Sequence, residues 1–271
     1  MKQKVTFIAL LMAISVFPPI TVNAQQNKEF TVGDETFTMV FVEGGTFTMG
    51  ATVDQGSEHY LNELPCHKVI LSDFYIGQTE VTQALWVAVM GYNPSKYQED
   101  LNCPVESVSW DECVNFINKL NKMTGEQFRL PTESEWEFAA RGGNKSFGFK
   151  YSGGRKICEV AQCYDCLPLG VPRNPTYPVA GKKPNELGIY DMTGNVTEWC
   201  SDIYANWPIE FSVRPQTNPK GPVMNPRYIE PRVLRGSNTS TDSDHKDQRI
   251  ARRDGVEPFK KSEYWGFRLA L

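Results

Sequence analysis

The chain alternates short apolar runs with long stretches rich in Gly, Pro, Asn and Asp. The apolar runs cover residues 36–42, 68–76, 232–235 and 266–271, and the sequence contains 21 glycines and 18 prolines. Apolar runs of this length, bounded by turn-forming residues, predict short strands joined by long loops. Long loops within a domain are usually functional or held in place by metal ions or disulfides. The pattern therefore predicts an α+β fold with much irregular structure.

Three segments carry the signals that begin and end helices. Each begins at a Ser or Thr that can cap the amino end, and each stops at a glycine, which readily takes the left-handed conformation. In the second and third segments a Glu three positions after the cap completes a capping box. The predicted helices follow Thr82, Ser109 and Thr132 and end near Gly91, Gly125 and Gly142.

The amino terminus has the pattern of a secretory signal peptide. Two lysines precede an apolar run over residues 5–17, and small residues stand before a predicted cut after Ala24. A retained membrane helix would need about 20 apolar residues, whereas a Pro-Pro pair interrupts this run. We therefore predict a signal peptide at residues 1–24 and one domain at residues 25–271. No later stretch is apolar enough to span a membrane, so we expect an exported protein, periplasmic or extracellular, without a transmembrane segment after cleavage.

The charge pattern bears on possible partners. The chain carries 28 Lys and Arg against 32 Asp and Glu, a formal net charge of −4. It shows no basic stripe of the kind that follows the phosphates of a nucleic acid. We therefore expect no nucleic-acid partner.

The cysteine pattern leaves two interpretations open. In an exported chain, cysteines indicate disulfides, and an odd number leaves at least one unpaired. The cluster over residues 158–166 could be a zinc site, although a second Cys-x-x-Cys and nearby histidines are missing. The other interpretation is a local disulfide in a surface loop. The seven cysteines are Cys66, Cys103, Cys113, Cys158, Cys163, Cys166 and Cys200.

Several longer motifs follow one another along the chain. They include RLPTESEWEFAARGG, then GIYDMTGNVTEWCSD, then RVLRGS and a closing GFRLAL. In order and spacing these motifs resemble the formylglycine-generating-enzyme family, also called the sulfatase-modifying-factor family, over about residues 41–271. The resemblance implies a single compact domain related to the C-type lectin fold, with short strands, a few short helices and much irregular loop.

The resemblance also implies where the family's chemistry would lie. The family's enzyme converts a sulfatase cysteine into formylglycine with two cysteines that hold copper, a few residues after the element that here is Arg235-Gly236. In this chain Thr241 and His245 fall near those two places. A hydroxyl and an imidazole do not replace the thiolates that copper(I) prefers. We therefore expect neither copper nor formylglycine synthesis; Cys200, the nearest cysteine by motif, would supply only one sulfur.

Other branches of the family narrow the function. Its sulfoxide synthases bind iron through a histidine-rich motif on an additional helical domain. This chain has 3 scattered histidines and neither that motif nor that domain, so we do not expect it to belong to that branch. The remaining branches serve mostly binding and structural roles. The leading hypothesis is an exported, non-catalytic binding or assembly module that recognises a polar ligand, a peptide or glycan, or a protein partner. The alternative is a sulfatase-modifying oxidoreductase with a variant site.

A calcium site is the cofactor that the resemblance implies. The family's calcium loop corresponds to DMTGNVTE, with the side chains of Asp191 and Glu198 and the carbonyl oxygens of Gly194 and Val196 as ligands. Carboxylates and carbonyls are the hard oxygen ligands that Ca²⁺ prefers. The alternative is that the two acidic side chains only cap loop amides.

A ligand groove is predicted at residues 237–253, which correspond to the exposed groove of the family. Polar side chains dominate this segment, and they suit a peptide or a glycan better than an apolar cofactor. The alternatives are a solvated loop and, for Arg249 and Arg253, buried ion pairs that stabilise the core. The predicted groove residues are Asn238, Thr241, His245 and Arg249.

The tryptophans that adjoin these motifs are predicted to be core residues, because packing is the usual role of so large an apolar surface. This group comprises Trp86, Trp110, Trp136 and Trp199. For Trp265 two roles stay open: lining the predicted groove, or sealing the last strand.

Overall fold

The structure is a computed structural model that describes residues 26–166, 176–225, 227–243 and 246–271. The predicted signal peptide and His245 lie outside these ranges. The strands are β1 (Lys28–Val32), β2 (Glu35–Val42), β3 (Gly45–Met49), β4 (His67–Leu71), β5 (Phe74–Gly77), β6 (Thr197–Ile203), β7 (Gln216–Thr217), β8 (Arg232–Arg235), β9 (Arg253–Val256) and β10 (Trp265–Gly266). The α-helices are α1 (Gln83–Met90), α2 (Trp110–Thr124), α3 (Glu133–Ala140) and α4 (Ile157–Val160).

The described strands form three small sheets. The first has the order β1-β2-β5 and is antiparallel throughout. The second, β3-β4-β7, pairs β4 with β7 in parallel, and the third, β10-β6-β8-β9, pairs β10 with β6 in parallel. Short strands, short helices and long loops confirm the predicted α+β fold.

The apolar run over residues 68–76 is not one strand. It is divided between β4 and β5, which belong to different sheets. Between them Ser72 N donates to Asn218 Oδ1 at 2.9 Å, and Asp73 Oδ1 accepts from Gly44 N at 2.8 Å. These bonds to distant loops fix the break, which the continuous apolar pattern does not reveal. The run over residues 266–271 also differs, because beyond β10 it forms only isolated bridges, from Ala270 to Ile76 and Arg129.

The helix ends follow the predicted capping pattern. Thr82 Oγ1 accepts from Leu85 N at the start of α1, and α2 and α3 both begin with complete capping boxes. The caps after α1 and α2 are Gly91 and Gly125, with φ of 85° and 78°. The cap of α3 is Arg141 in the right-handed region, and Gly142 follows it with φ of 92°.

The tryptophans occupy the core largely as predicted. Trp86, Trp136 and Trp199 are fully buried, whereas Trp110 is only half-buried and donates from Nε1 to the Cys200 carbonyl at 2.9 Å. Trp265 packs against the core, with its ring centroid 5.6 Å from that of Trp199 in an edge-on arrangement. Of its two predicted roles, this contact favours sealing the last strand.

The helices are too short for a membrane span. Among the described residues none combines the length and the apolar character that crossing a bilayer requires.

Candidate functional site

The loop from Asp191 to Glu198 is a tight turn whose last two residues are the first two of β6. Asp191, Gly194 and Asn195 have φ of 58°, 86° and 57°, in the left-handed region. A Cβ on Gly194 would lie 2.4 Å from the Gln162 carbonyl oxygen, so this close approach requires glycine. The turn directs both acidic side chains inward, and they are 3% and 0% exposed.

This loop contributes two buried carboxylates, Asp191 and Glu198, and a third from outside it, that of Glu80, was not predicted. Glu80 accepts from Asn195 Nδ2 at 3.3 Å and from Val196 N at 3.4 Å. Burial raises the pKa of Glu80 well above its usual value, and the charges of Asp191 and Glu198 add to that rise. Nothing in the sequence around Glu80 marks it, because only folding brings it to the loop. The three carboxylates share one buried guanidinium, that of Arg268.

The oxygens of Asp191 and Glu198 keep lone pairs that no hydrogen bond uses. Asp191 Oδ2 accepts from Ala180 N at 2.7 Å, while its buried Oδ1 has no partner. Glu198 Oε2 accepts from Arg268 Nε at 2.6 Å and from Trp136 Nε1 at 2.8 Å, and Oε1 accepts from Arg268 Nη2 at 2.7 Å. A carboxylate offers about four lone-pair sites, so one site on Oε1 remains. In donor chemistry the two side chains fit Ca²⁺, with Glu198 limited to one oxygen.

The charge balance of the loop also favours a divalent cation. Burial raises the pKa of Asp191 to about 6, because its charged form loses solvation without a full counter-charge. Three carboxylates against the single Arg268 guanidinium leave an excess of two negative charges when all are ionised. A divalent cation would compensate that excess.

The predicted groove segment begins as a turn rather than as an open surface. Asn238 Oδ1 accepts from Ser240 N at 3.0 Å and from Ser240 Oγ at 2.6 Å, and its Nδ2 donates to Thr197 Oγ1 at 3.0 Å. The Thr241 carbonyl accepts from Tyr164 N at 3.1 Å. Asn238 and Thr241 are both half-buried and lie near each other in this turn. The Asn238 side chain therefore already stabilises the turn.

Arg249 does not lie on the predicted groove. Its guanidinium is buried, and Nη1 and Nη2 each donate to one carboxylate oxygen of Glu63 at 2.6 Å. Arg253 is also buried and donates to both oxygens of Glu133, at 2.6 and 2.8 Å. The structure thus has the alternative arrangement, buried ion pairs that hold the core. The polar sequence pattern could not distinguish a surface arginine from a buried one.

Of the two interpretations of the cysteine cluster, the structure has the local disulfide. Cys166 is within bonding distance of both Cys158 and Cys163, whereas the other four cysteines are free. Cys200 is fully buried, and burial raises the pKa of its thiol well above the usual value. A buried, protonated thiol is a poor nucleophile and a poor metal ligand. Cys200 therefore does not supply a reactive sulfur for the absent pair.

A cavity of about 350 Å³ opens at the amino end of α3. No motif predicted it, because its walls come from segments far apart in the sequence. Aromatic rings form part of the wall, and the charged groups include two carboxylates and two cations. The aromatic members are His67, Trp207 and Phe211, and the charged members are Glu133, Asp202, Lys220 and Arg253.

Contacts within the cavity wall hold several of these groups in place. The Trp207 ring centroid lies 4.6 Å from that of His67, and the Arg253 guanidinium lies 4.2 Å from the Trp207 centroid. Asp202 Oδ2 accepts from Glu133 N at 3.0 Å and from Ser201 Oγ at 3.0 Å. Burial, with the charge of Glu133 adding to it, raises the pKa of Asp202 to about 7.

The sequence of this chain is similar to those of several known proteins. The sequence profile of the sulfatase-modifying factor enzyme 1-like domain matches residues 23–271. The chain is 36% identical over 221 residues to the protein named chaperone protein LppX of Paenibacillus barcinonensis, covering 65% of this chain and 74% of LppX. It is 29% identical over 289 residues to the formylglycine-generating enzyme of Streptomyces coelicolor, covering 85% and 88% of the two chains. It spans 37% of the length of the Chlamydia pneumoniae serine/threonine-protein kinase pkn1.

A solved structure shows the same fold. The structure of Treponema denticola variable protein 1 superposes with a TM-score of 0.76 at 30% sequence identity, covering 91% of this chain and 99% of that one. The profile match spans nearly the whole chain, and the fold agrees with it. This chain therefore belongs to the sulfatase-modifying factor enzyme 1-like domain family.

Proposed function

We propose that this protein is a non-catalytic binding module of its family, exported and recognising a polar ligand. The observation that supports this proposal is the cavity of about 350 Å³, which aromatic and charged side chains line. The segment after Gly236 contains no cysteine as far as Leu271, which argues against the family's oxidase chemistry. Two similar proteins are named as a chaperone protein and as a variable protein, not as formylglycine-generating enzymes. These names support a role other than formylglycine synthesis. Amino-terminal sequencing of the mature protein tests export, and we expect it to begin at Gln25.

The lining of the cavity favours a glycan or a peptide. Pockets of this kind bind by apolar contact and select by a few fixed polar groups. Phe211 and Trp207 supply flat apolar surface, while Lys220 and Asp202 supply a cation and a carboxylate at the same wall. A sugar ring or a polar peptide side chain presents both kinds of surface to such a site.

Binding should depend on the cavity wall. We expect the full chain to bind ligands from a glycan array or a peptide library, and Phe211→Ala and Lys220→Ala to weaken binding about tenfold or more, because each removes contact area or charge at the wall. Titration calorimetry or biolayer interferometry would measure the change. Tyr228→Ala is the matched control, since Tyr228 is 69% exposed and does not line the cavity.

A second pair of variants separates this cavity from the predicted groove. Asn238→Ala and Thr241→Ala change the turn after Gly236 and leave the cavity wall intact. Loss of binding in these variants alone, with unchanged melting, would place the ligand at the groove instead. Absence of any ligand, together with conversion of a sulfatase-derived cysteine peptide to an aldehyde, would favour the alternative, a sulfatase-modifying oxidoreductase.

We also propose that Ca²⁺ binds the loop from Asp191 to Glu198 and stabilises the fold. A ligand at a hundredfold excess over its Kd stabilises the native state by about 2.7 kcal/mol, which corresponds to a rise in Tm of roughly 5–10 °C for a domain of this size. Asp191→Asn should abolish the rise, because it removes the charge next to the unpartnered Oδ1. Differential scanning calorimetry with Ca²⁺ and with a chelator measures both.

Glu80 provides an internal check on the calcium proposal. Without calcium, Glu80→Gln should raise Tm, because it removes one of the buried negative charges that lack a counter-charge. With calcium, the same variant should gain less from the ion than the wild type does. Asp111→Asn is the control, since Asp111 is exposed on α2. An unchanged wild-type Tm in chelator would instead favour the capping role of the two acidic side chains.

A further inference from the structure

Three cysteine sulfurs lie close together in α4 and in the segment that follows it. The Sγ atoms of Cys158, Cys163 and Cys166 all lie within 4.8 Å of one another. Among the described residues they are the one group of three or more His, Cys, Asp or Glu side chains whose ligand atoms lie this close together. The Cα–Cα distances are 4.9 Å for Cys158 and Cys166 and 5.3 Å for Cys163 and Cys166. Both distances lie within the range that a disulfide spans without movement of the backbone.

Only one of the two pairings can exist in a molecule at a time. A sulfur in a disulfide is bonded to one other sulfur, so Cys166 must choose between Cys158 and Cys163. The remaining cysteine is then a thiol held within 4.8 Å of the disulfide. Thiol–disulfide exchange requires this arrangement, a thiolate close to a disulfide sulfur that it can attack. The four other cysteines are free and lie outside the group.

The two competing cysteines lie in different surroundings. Cys158 is exposed, whereas Cys163 is fully buried. Lys182 Nζ donates to the Cys158 carbonyl at 2.9 Å, so a positive charge lies beside Cys158. Solvent and a nearby cation both favour a thiolate, while burial disfavours one. The pairing of Cys163 with Cys166 therefore leaves the more reactive sulfur at the surface.

We propose that Cys158, Cys163 and Cys166 form a thiol–disulfide exchange centre with Cys166 as the shared partner. Burial keeps the Cys163 thiol largely protonated, but its thiolate fraction lies beside the disulfide and attacks Cys166 Sγ of the Cys158–Cys166 disulfide. The Cys163–Cys166 bond forms, the Cys158–Cys166 bond breaks, and the electron pair leaves on Cys158 as a thiolate. The internal step involves no net oxidation or reduction, so it needs no oxidant. The exposed Cys158 thiolate then attacks an external disulfide, forms a mixed disulfide and releases one external thiolate.

The exchange centre is connected to the turn that follows Gly236. Asp165, next to Cys166, accepts from Ser243 N at 2.7 Å and from Ser243 Oγ at 2.8 Å. Tyr164 N donates to the Thr241 carbonyl at 3.1 Å. A change of partner at Cys166 is thus next to backbone contacts that hold residues 241–243. The centre lies apart from the cavity proposed as the ligand site, so either proposal can fail without the other.

Disulfide mapping of the full chain, purified without reductant, tests the proposal. Alkylation followed by peptide mass spectrometry should find Cys166 paired with Cys158 in some molecules and with Cys163 in others. Oxidised glutathione should modify Cys158 as the principal site within the group. One fixed pairing at every ratio of reduced to oxidised glutathione would overturn the proposal, as would three reduced cysteines that retain a bound metal ion.

Single substitutions separate exchange from a static disulfide. Cys163→Ala should lock the Cys158–Cys166 pairing and lower glutathione modification of Cys158 about tenfold or more, because no internal thiolate remains to release it. Cys158→Ser should leave only the Cys163–Cys166 pairing and no modified cysteine in the group. Cys66→Ser is the control, since Cys66 is a half-buried free thiol outside the group.

The two variants protect the test against misfolding. Should Cys163→Ala melt well below the wild type, Cys158→Ser still reports whether the second pairing exists. Unchanged modification of Cys158 in a folded Cys163→Ala variant would contradict the proposed relay.

Discussion

Arg249→Ala is expected to destabilise the protein by about 3–5 kcal/mol, because it leaves the buried carboxylate of Glu63 without its partner. Glu63 is fully buried and Arg249 is 1% exposed, and two bonds of 2.6 Å join them. For a domain of this size the loss corresponds to a fall in Tm of roughly 6–20 °C. Urea unfolding, with the same slope in both proteins, would measure the difference in the free energy of unfolding.

A double variant without charges separates two causes of destabilisation, the unpaired charge of Glu63 and the lost volume of the Arg249 side chain. Replacing both residues, as Glu63→Leu with Arg249→Met, should recover most of the stability, because no buried charge remains unpaired. Arg252→Ala is the matched control: Arg252 is paired with Asp254 at 3.0 Å at a partly exposed position, where loss of the pair costs under about 1 kcal/mol. An Arg249→Ala variant as stable as the control would show that the buried pair contributes nothing.

Asp202→Asn is expected to stabilise the protein at alkaline pH and to have little effect at acidic pH. The pKa of Asp202 is raised from 3.8 to about 7 in the folded protein, so the folded state holds the proton more tightly than the unfolded state. As pH rises from about 4 to about 7, the wild type therefore loses stability, and above pH 7 the loss is complete. Asn does not titrate, and it should gain about 2–4 kcal/mol over the wild type at pH 8.

Unfolding free energies at pH 5 and pH 8 measure this difference. The gain of Asp202→Asn over the wild type should increase between the two values. Asp34→Asn is the control, because Asp34 is exposed in the turn after β1 and should show no such increase. A gain that is the same at both pH values would mean that Asp202 does not titrate in this range.

Local sequence determined the helices and much of the apolar core. Ser109 with Glu112, and Thr132 with Glu135, form the predicted capping boxes, because these bonds join residues three positions apart. Gly91 takes the predicted left-handed conformation. The long motifs also identified the family before any contact was known, since their order and spacing carry more information than any single residue.

Tertiary structure decided the features that depend on residues far apart in the chain. Arg249 looks like a surface residue in a polar segment, but Glu63 lies 186 positions away and draws it into the core. Glu80 contacts the loop from Asp191 to Glu198 through Asn195, which lies 115 positions later in the chain. The cavity at α3 is likewise assembled from distant segments. Charge, burial and cavity shape arise from such distant contacts, whereas helix caps and turns arise from neighbours. For this reason the sequence by itself determined the family and the helices, and only the fold decided which charged residues are buried and where a ligand has room.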